Sequence, residues 1–231
     1  MKQERSAIEA VARRFSATWE KGDNPPDAYM TVAGKRVAVD IATLTGHGAG
    51  QGDGAKPRLR FDKVVISLTE RLQATVGEAT PDGLTVLLSV TAPIWLPSKT
   101  AGALEDKIQA LLGRGSSRKD ESDTIHGNNV RIRLLRDESG CAPKMIGFVH
   151  NPDSDPLLLF NMTSEMLELI RAQADRRKAR LAPDRWLVVR STRGISCLQA
   201  YRYIYSQLHM PTVFEKTLIV FGDRLVEELT G

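Results

Sequence analysis

The sequence predicts an α/β protein in which helices flank a mainly mixed central sheet in a three-layer-like arrangement. Helix-like and strand-like segments alternate along the chain, and the apolar spacing switches repeatedly between helical and strand periods. No internal repeat is visible, so the elements read as one α/β domain over 1–231.

The first element is a helix from Glu4 to Glu20, because Ile8, Val11, Ala12, Phe15 and Trp19 form one apolar stripe. Gly22 and Pro25-Pro26 stop it. Two extended runs follow, Asp27 to Val32 and Arg36 to Leu44, and their short junction at Ala33-Gly34 predicts a hairpin. Thr45 to Lys56 carries five glycines and reads as a loop. A helix over Phe61 to Val76, a strand over Leu84 to Thr91 and a helix over Ser98 to Leu112 come next. The polar stretch 113–129 is expected to be a mobile insertion, leaving 1–112 and 130–231 as the core. Val130 to Arg136 and Met145 to Val149 predict strands. Thr163 is placed to cap a helix from Ser164 to Leu181, whose charges run from acidic to basic as the helix dipole favours. A strand over Arg185 to Arg190, a helix over Cys197 to Leu208 and a terminal strand over Thr217 to Phe221 complete the order.

Hydrophobic residues make up 42% of the 231 and charged residues 26%, ordinary globular values that argue against a disordered chain. No apolar run approaches the roughly 20 residues needed to span a bilayer, and the first residues lack a signal-peptide core. Cys141 and Cys197 have no metal-type spacing and suit a reducing compartment, so the cytoplasm is expected. His47, His126, His150 and His209 offer no paired spacing for zinc. A net charge of +4 is compatible with a polyanionic partner without requiring one.

The hairpin carries the most specific chemistry. With Ala33-Gly34 as a two-residue turn, Val32 faces Lys35, Met30 faces Val37 and Asp27 faces Asp40. Opposed residues have Cβ atoms about 5 Å apart on one face, so two carboxylates there repel unless a cation separates them. Mg²⁺ (or Mn²⁺) bound by Asp27 and Asp40 would resolve the repulsion, polarise a phosphodiester and activate a water. Alternatively Asp27 opens a strand after Pro25-Pro26, and Asp40 lies at an exposed strand end. A slip of one residue would separate the pair.

A helix, then Pro26-Asp27, then a hairpin ending at Asp40-Ile41-Ala42 resembles the PD-(D/E)XK (restriction-endonuclease-like) nuclease superfamily. The later helix MLELIRAQADRRKARL followed by RWLVV is similar to a peripheral unit of its bacterial members. The resemblance touches about half the chain through short motifs. It implies a restriction-endonuclease-like core, Glu9 as a further metal ligand, and Mg²⁺-dependent phosphodiester hydrolysis, with nucleic acid, foremost DNA, as partner. The motif lysine is absent: Ala42 stands there, and Arg36 on the same face is roughly 13 Å away at about 3.3 Å per residue. Lys63, Lys99 or Lys107 would have to substitute, or the chain is an inactive nucleic-acid-binding relative.

Other readings compete. Gly50-Gln-Gly52-Asp-Gly54-Ala55 formally fits a dinucleotide-binding fingerprint, yet Pro57 delays the helix and the next strand ends without a ribose-binding acid. The basic run Arg176-Arg177-Lys178-Arg180 could contact phosphates, but it suits a solvated helix end better. Trp19, Trp95 and Trp186 read as packing residues, at least one of Tyr201, Tyr203 and Tyr205 as core, and Cys197 as an inert thiol. A non-enzymatic interaction protein is the second functional class and a nucleotide-binding domain the third. No membrane partner is expected, and a homodimer is compatible with the sequence.

Overall fold

The computed structural model describes every residue except 1, 24, 45–58, 61, 114–119, 137–142, 178–183, 209–213, 223 and 231. The glycine loop, the GxGxxG-like stretch and Cys141 therefore lie outside the described residues. The chain is α/β, but with two mixed sheets where the sequence predicts one. Each sheet belongs to its own compact unit, Met1–Gly48 with Glu165–Gly231, and Ala49–Ser164. Among the described residues no helix is long and apolar enough to cross a membrane.

The first unit contains α1 (Lys2–Arg14), β1 (Thr18–Lys21), β2 (Ala28–Val32) and β3 (Lys35–Leu44). From the C-terminal segment it takes β8 (Arg185–Ser191), a 3₁₀ turn (Ile195–Cys197), α5 (Leu198–Gln207), β9 (Lys216–Val220) and β10 (Val226–Leu229). Its sheet runs β1-β2-β3-β8-β9-β10, with β3, β8 and β9 parallel and the flanking pairs antiparallel. Ile8 and Val11 of α1 pack with Val37, Val39, Trp186 and Val188 on one face. On the other face lies α5, where Tyr205 Oη donates to Thr217 Oγ1 at 2.9 Å and the Tyr201 and Ser191 hydroxyls meet at 3.1 Å. This unit is three-layered.

Two expectations fail here for identifiable reasons. The helix predicted to reach Glu20 ends at Arg14, because Ser16 takes φ 50° and the Ala17 and Ser16 N–H groups bond to Ala12 and Arg13 carbonyls. That pattern of bonds is a Schellman cap, and it places Trp19 on β1 opposite Met30. The edge strands β1 and β10 are short and polar, so alternation does not announce them.

The second unit holds α2 (Lys63–Ala79), β4 (Leu84–Thr91), α3 (Pro97–Gly113), β5 (Asp120–Ile125), β6 (Asn128–Arg136) and β7 (Met145–His150). The N-terminal part of α4 (Pro156–Arg177) also belongs to it. The sheet order is β5-β6-β4-β7, with only β4 and β7 parallel. Asp62 caps α2 by accepting from Val65 N. Leu68 and Leu72 of α2 and Leu104 and Ile108 of α3 bury Val86, Leu88 and Ile132 on one face. The close approach of α2 depends on Gly147, where a Cβ would sit 3.0 Å from Thr69 Cγ2. On the other face Phe148 packs against Phe160 of α4 at 6.4 Å.

The supposed mobile insertion contains β5 and the start of β6, hydrogen-bonded through the turn His126-Gly127 at φ 49° and 82°. Its charges are not solvated tail residues. Asp120 holds Arg131 and Arg133 at 2.7 Å each, and Lys107 holds Glu121 at 3.2 Å and Asp123 at 2.7 Å. The helix predicted from Ser164 begins at Pro156 instead. Thr163 is buried inside it, donating back to Leu159 O at 2.8 Å rather than capping.

His150 ends β7 buried, its Nδ1 2.8 Å from Asn151 O, and burial pushes its pKa below the ordinary value of about 6.5. The folded chain thus keeps this imidazole neutral, while the unfolded chain protonates it near its ordinary value. Stability is full above about pH 6.5 and falls as acid protonates the unfolded state preferentially. Urea midpoints should therefore drop between pH 7.5 and 5.5. His150→Asn, which keeps a donor for the Asn151 carbonyl, should flatten that drop.

Candidate metal centre at the β2–β3 hairpin

Ala33 and Gly34 both take positive φ, 49° and 82°, so the turn is of the type that matches the twist of a two-residue hairpin. The expected register follows: Val32 pairs with Lys35, Met30 with Val37, and Ala28 with Val39. There the ladder stops, one residue short of the acidic pair. Asp27 N–H bonds to Val39 O at 3.1 Å, out of step with the ladder by one residue. Its carboxylate Oδ2 accepts from Ile41 N at 2.7 Å. Asp27 thus supplies an acceptor to a β3 donor beyond the end of β2.

Asp40 shares its face of β3 with Ala38 and Ala42, opposite the face that Val37 and Val39 present to α1. It is fully buried, where the alternative reading expects an exposed strand end. Arg185, paired in register with Ala38 on the neighbouring strand, donates from Nη2 to Asp40 Oδ2 at 2.5 Å. The Arg185 side chain is itself only 9% exposed. The cation beside Asp40 is therefore a guanidinium supplied by the chain.

Glu9 does not join them. It lies on α1, which packs on the opposite face of the sheet, and it is ion-paired with Arg5 at 2.9 Å. Lys107, a candidate for the missing motif lysine, is committed to Glu121 and Asp123. Among the described residues no group of three or more His, Cys, Asp or Glu is placed to hold a metal ion. A divalent ion needs carboxylate oxygens open to it and to water. Asp40, fully buried and held by Arg185, is closed to an ion from solvent, and the donor set does not fit Mg²⁺ or Mn²⁺.

The sequence reading misses a second buried cluster in the same unit. Arg193, in the turn after β8, holds Glu165 of α4 through two bonds, Nη1–Oε2 at 2.5 Å and Nη2–Oε1 at 2.9 Å. Its Nη1 also reaches Tyr201 Oη at 3.4 Å, and its backbone N–H bonds to Ser191 Oγ at 3.1 Å. Burial raises the pKa of both Tyr201 and the neighbouring Cys197, so phenol and thiol stay protonated and neither is an activated nucleophile. Tyr201 is core, as expected of at least one of the three tyrosines. Trp95 departs from expectation, being 59% exposed rather than packed. The side chains of the basic run 176–180 lie outside the described residues.

Compared with family models, curated proteins and solved structures, the chain matches none.

Proposed function

We propose that the chain binds nucleic acid without cutting it through Asp27 and Asp40. The observation that carries this reading is Arg185. The hairpin has the turn and the Ala28–Val32 register that Ala33-Gly34 predict, while the place of a metal beside Asp40 is taken by a guanidinium. A fixed positive charge there neutralises the carboxylate and takes the place of a metal that would activate a water. The net charge of +4 is compatible with a polyanionic partner. An interaction protein is the second reading, favoured by Trp95 and Leu96, 59% and 56% exposed on one loop.

The test combines labelled single- and double-stranded DNA, Mg²⁺ or Mn²⁺, and Asp27→Asn. The expected result is retention on DNA without cutting, and an unchanged melting temperature when Mn²⁺ is added. Metal-dependent cutting that Asp27→Asn abolishes would overturn the proposal. Absence of retention on either DNA would favour the interaction reading.

A further inference from the structure

Two adjoining depressions lie on the first unit where the end of α1 meets the β9–β10 turn. One, of about 630 Å³, is lined by Arg13, Arg14, Arg224 and Glu227, and the other, of about 670 Å³, by Arg13, Arg224, Ser16 and Trp19. Arg13 and Arg224 belong to both, so together they make one groove with guanidinium groups along its middle. Of the described acids that line it, Glu227 is engaged with Arg202 at 2.9 Å and Glu9 with Arg5 at 2.9 Å. Among the described residues Arg13, Arg14 and Arg224 have no carboxylate partner, so the groove carries a local positive excess.

Arg224 also stands where its backbone favours another residue. Phe221 N–H bonds to Leu225 O at 3.0 Å and Arg224 N–H to Phe221 O at 2.9 Å, closing the turn with Arg224 at φ 65°. Glycine takes that conformation without steric penalty, whereas a long side chain does not. A strained arginine aimed at a groove of arginines is a feature that stability alone does not select.

We infer that this groove is where a nucleic-acid strand lies, its phosphates on Arg13, Arg14 and Arg224. The inference rests on the nucleic-acid reading above and gives it a location. Guanidinium forks match phosphate oxygens bidentately. Trp19 at one end offers an indole for a base or sugar, the combination of cation and aromatic ring that suits a single strand. A phosphopeptide would call for a single phosphate socket, whereas the three arginines line an extended groove.

The test is fluorescence anisotropy with a labelled single-stranded oligonucleotide and its duplex across 50 to 200 mM KCl, for which Arg224→Gly, Arg13→Ala/Arg14→Ala and Lys144→Ala are compared. Arg224→Gly should weaken binding about tenfold and lower the salt slope by roughly 0.7–0.9 for every phosphate no longer held. Its melting temperature should hold or rise by up to about 3 °C, which separates lost binding from lost folding. The double variant should weaken binding further, and Lys144→Ala, which like Arg224→Gly removes one positive charge but in the other unit, should bind as the parent does. Groove variants that match a binding parent would refute the groove and leave the nucleic-acid reading standing. A parent that binds neither oligonucleotide, or only phosphopeptide or anionic vesicles, would overturn both.

Discussion

Asp40→Ala is expected to destabilise the protein by about 3–5 kcal/mol, because it leaves the Arg185 guanidinium buried without its carboxylate. Arginine cannot escape by losing its proton, so the charge must be exposed or the site must open. For a chain of this length the loss corresponds to a melting temperature lower by about 6–20 °C. Arg185→Met should cost a similar amount, since it strands Asp40. Replacing both residues with leucine should recover most of the loss, because a well-packed apolar pair often matches a buried ion pair. The sign of the single substitution is what matters for function. In a metal centre two carboxylates repel each other when the ion is absent, so removing one would leave the metal-free protein as stable or more so. Thermal and urea unfolding of the metal-free Asp40→Ala protein therefore decide between a metal ligand and a strand-to-strand clasp. The same reasoning explains why a cleavage assay on Asp40→Ala is a poor probe: lost activity would follow from lost folding.

The hairpin was legible because its determinants are local. Ala33-Gly34 supplies two positive-φ positions, and Val37, Val39 and Ile41 alternate beside it, so turn, register and buried face follow from about 15 neighbouring residues. The partner of Asp40 was not legible, because Arg185 is 145 residues away and reaches it only through the parallel pairing of β3 with β8. Periodicity says that a segment is a strand and which of its faces is apolar. It does not say which strand lies beside it, and so two sheets read as one.

The other departures have equally specific causes. Trp19 continues the α1 stripe in spacing, yet the backbone reverses at Ser16 before reaching it. The 113–129 stretch looks solvated because its acids are counted singly, whereas Asp120, Glu121 and Asp123 are neutralised by cations from β6 and α3. His126-Gly127 repeats the φ angles of Ala33-Gly34, but without an apolar alternation before it the turn carries no signal. Trp95 is exposed because its backbone is held on both sides: Asn128 Oδ1 accepts from Trp95 N at 2.7 Å, and Asn128 Nδ2 donates to Trp95 O at 2.9 Å. That clamp comes from a residue 33 positions later, which again is tertiary information.

Arg193→Ala should cost about 2–4 kcal/mol. The two bonds from Arg193 to Glu165 tie the turn after β8 to α4, and their side chains are only 14% and 10% exposed. Losing the guanidinium strands a carboxylate in a protein interior and removes a donor from Tyr201. Arg193→Lys should recover only part of the loss, since an ammonium cannot make both parallel bonds or reach the phenol from the same position. Glu165→Leu combined with Arg193→Met should come within about 1–2 kcal/mol of the parent if the pair is a structural clasp. Urea unfolding of the four proteins checks this, and a loss below about 1 kcal/mol in Arg193→Ala would show a solvated pair instead. The DNA-retention assay on the double variant then separates structure from function. Burial places this cluster out of a strand's reach, so a refolded apolar pair should bind DNA as the parent does. If binding is lost while stability returns, the charge at Arg193 acts on the ligand and the groove at Arg224 is only part of the nucleic-acid surface.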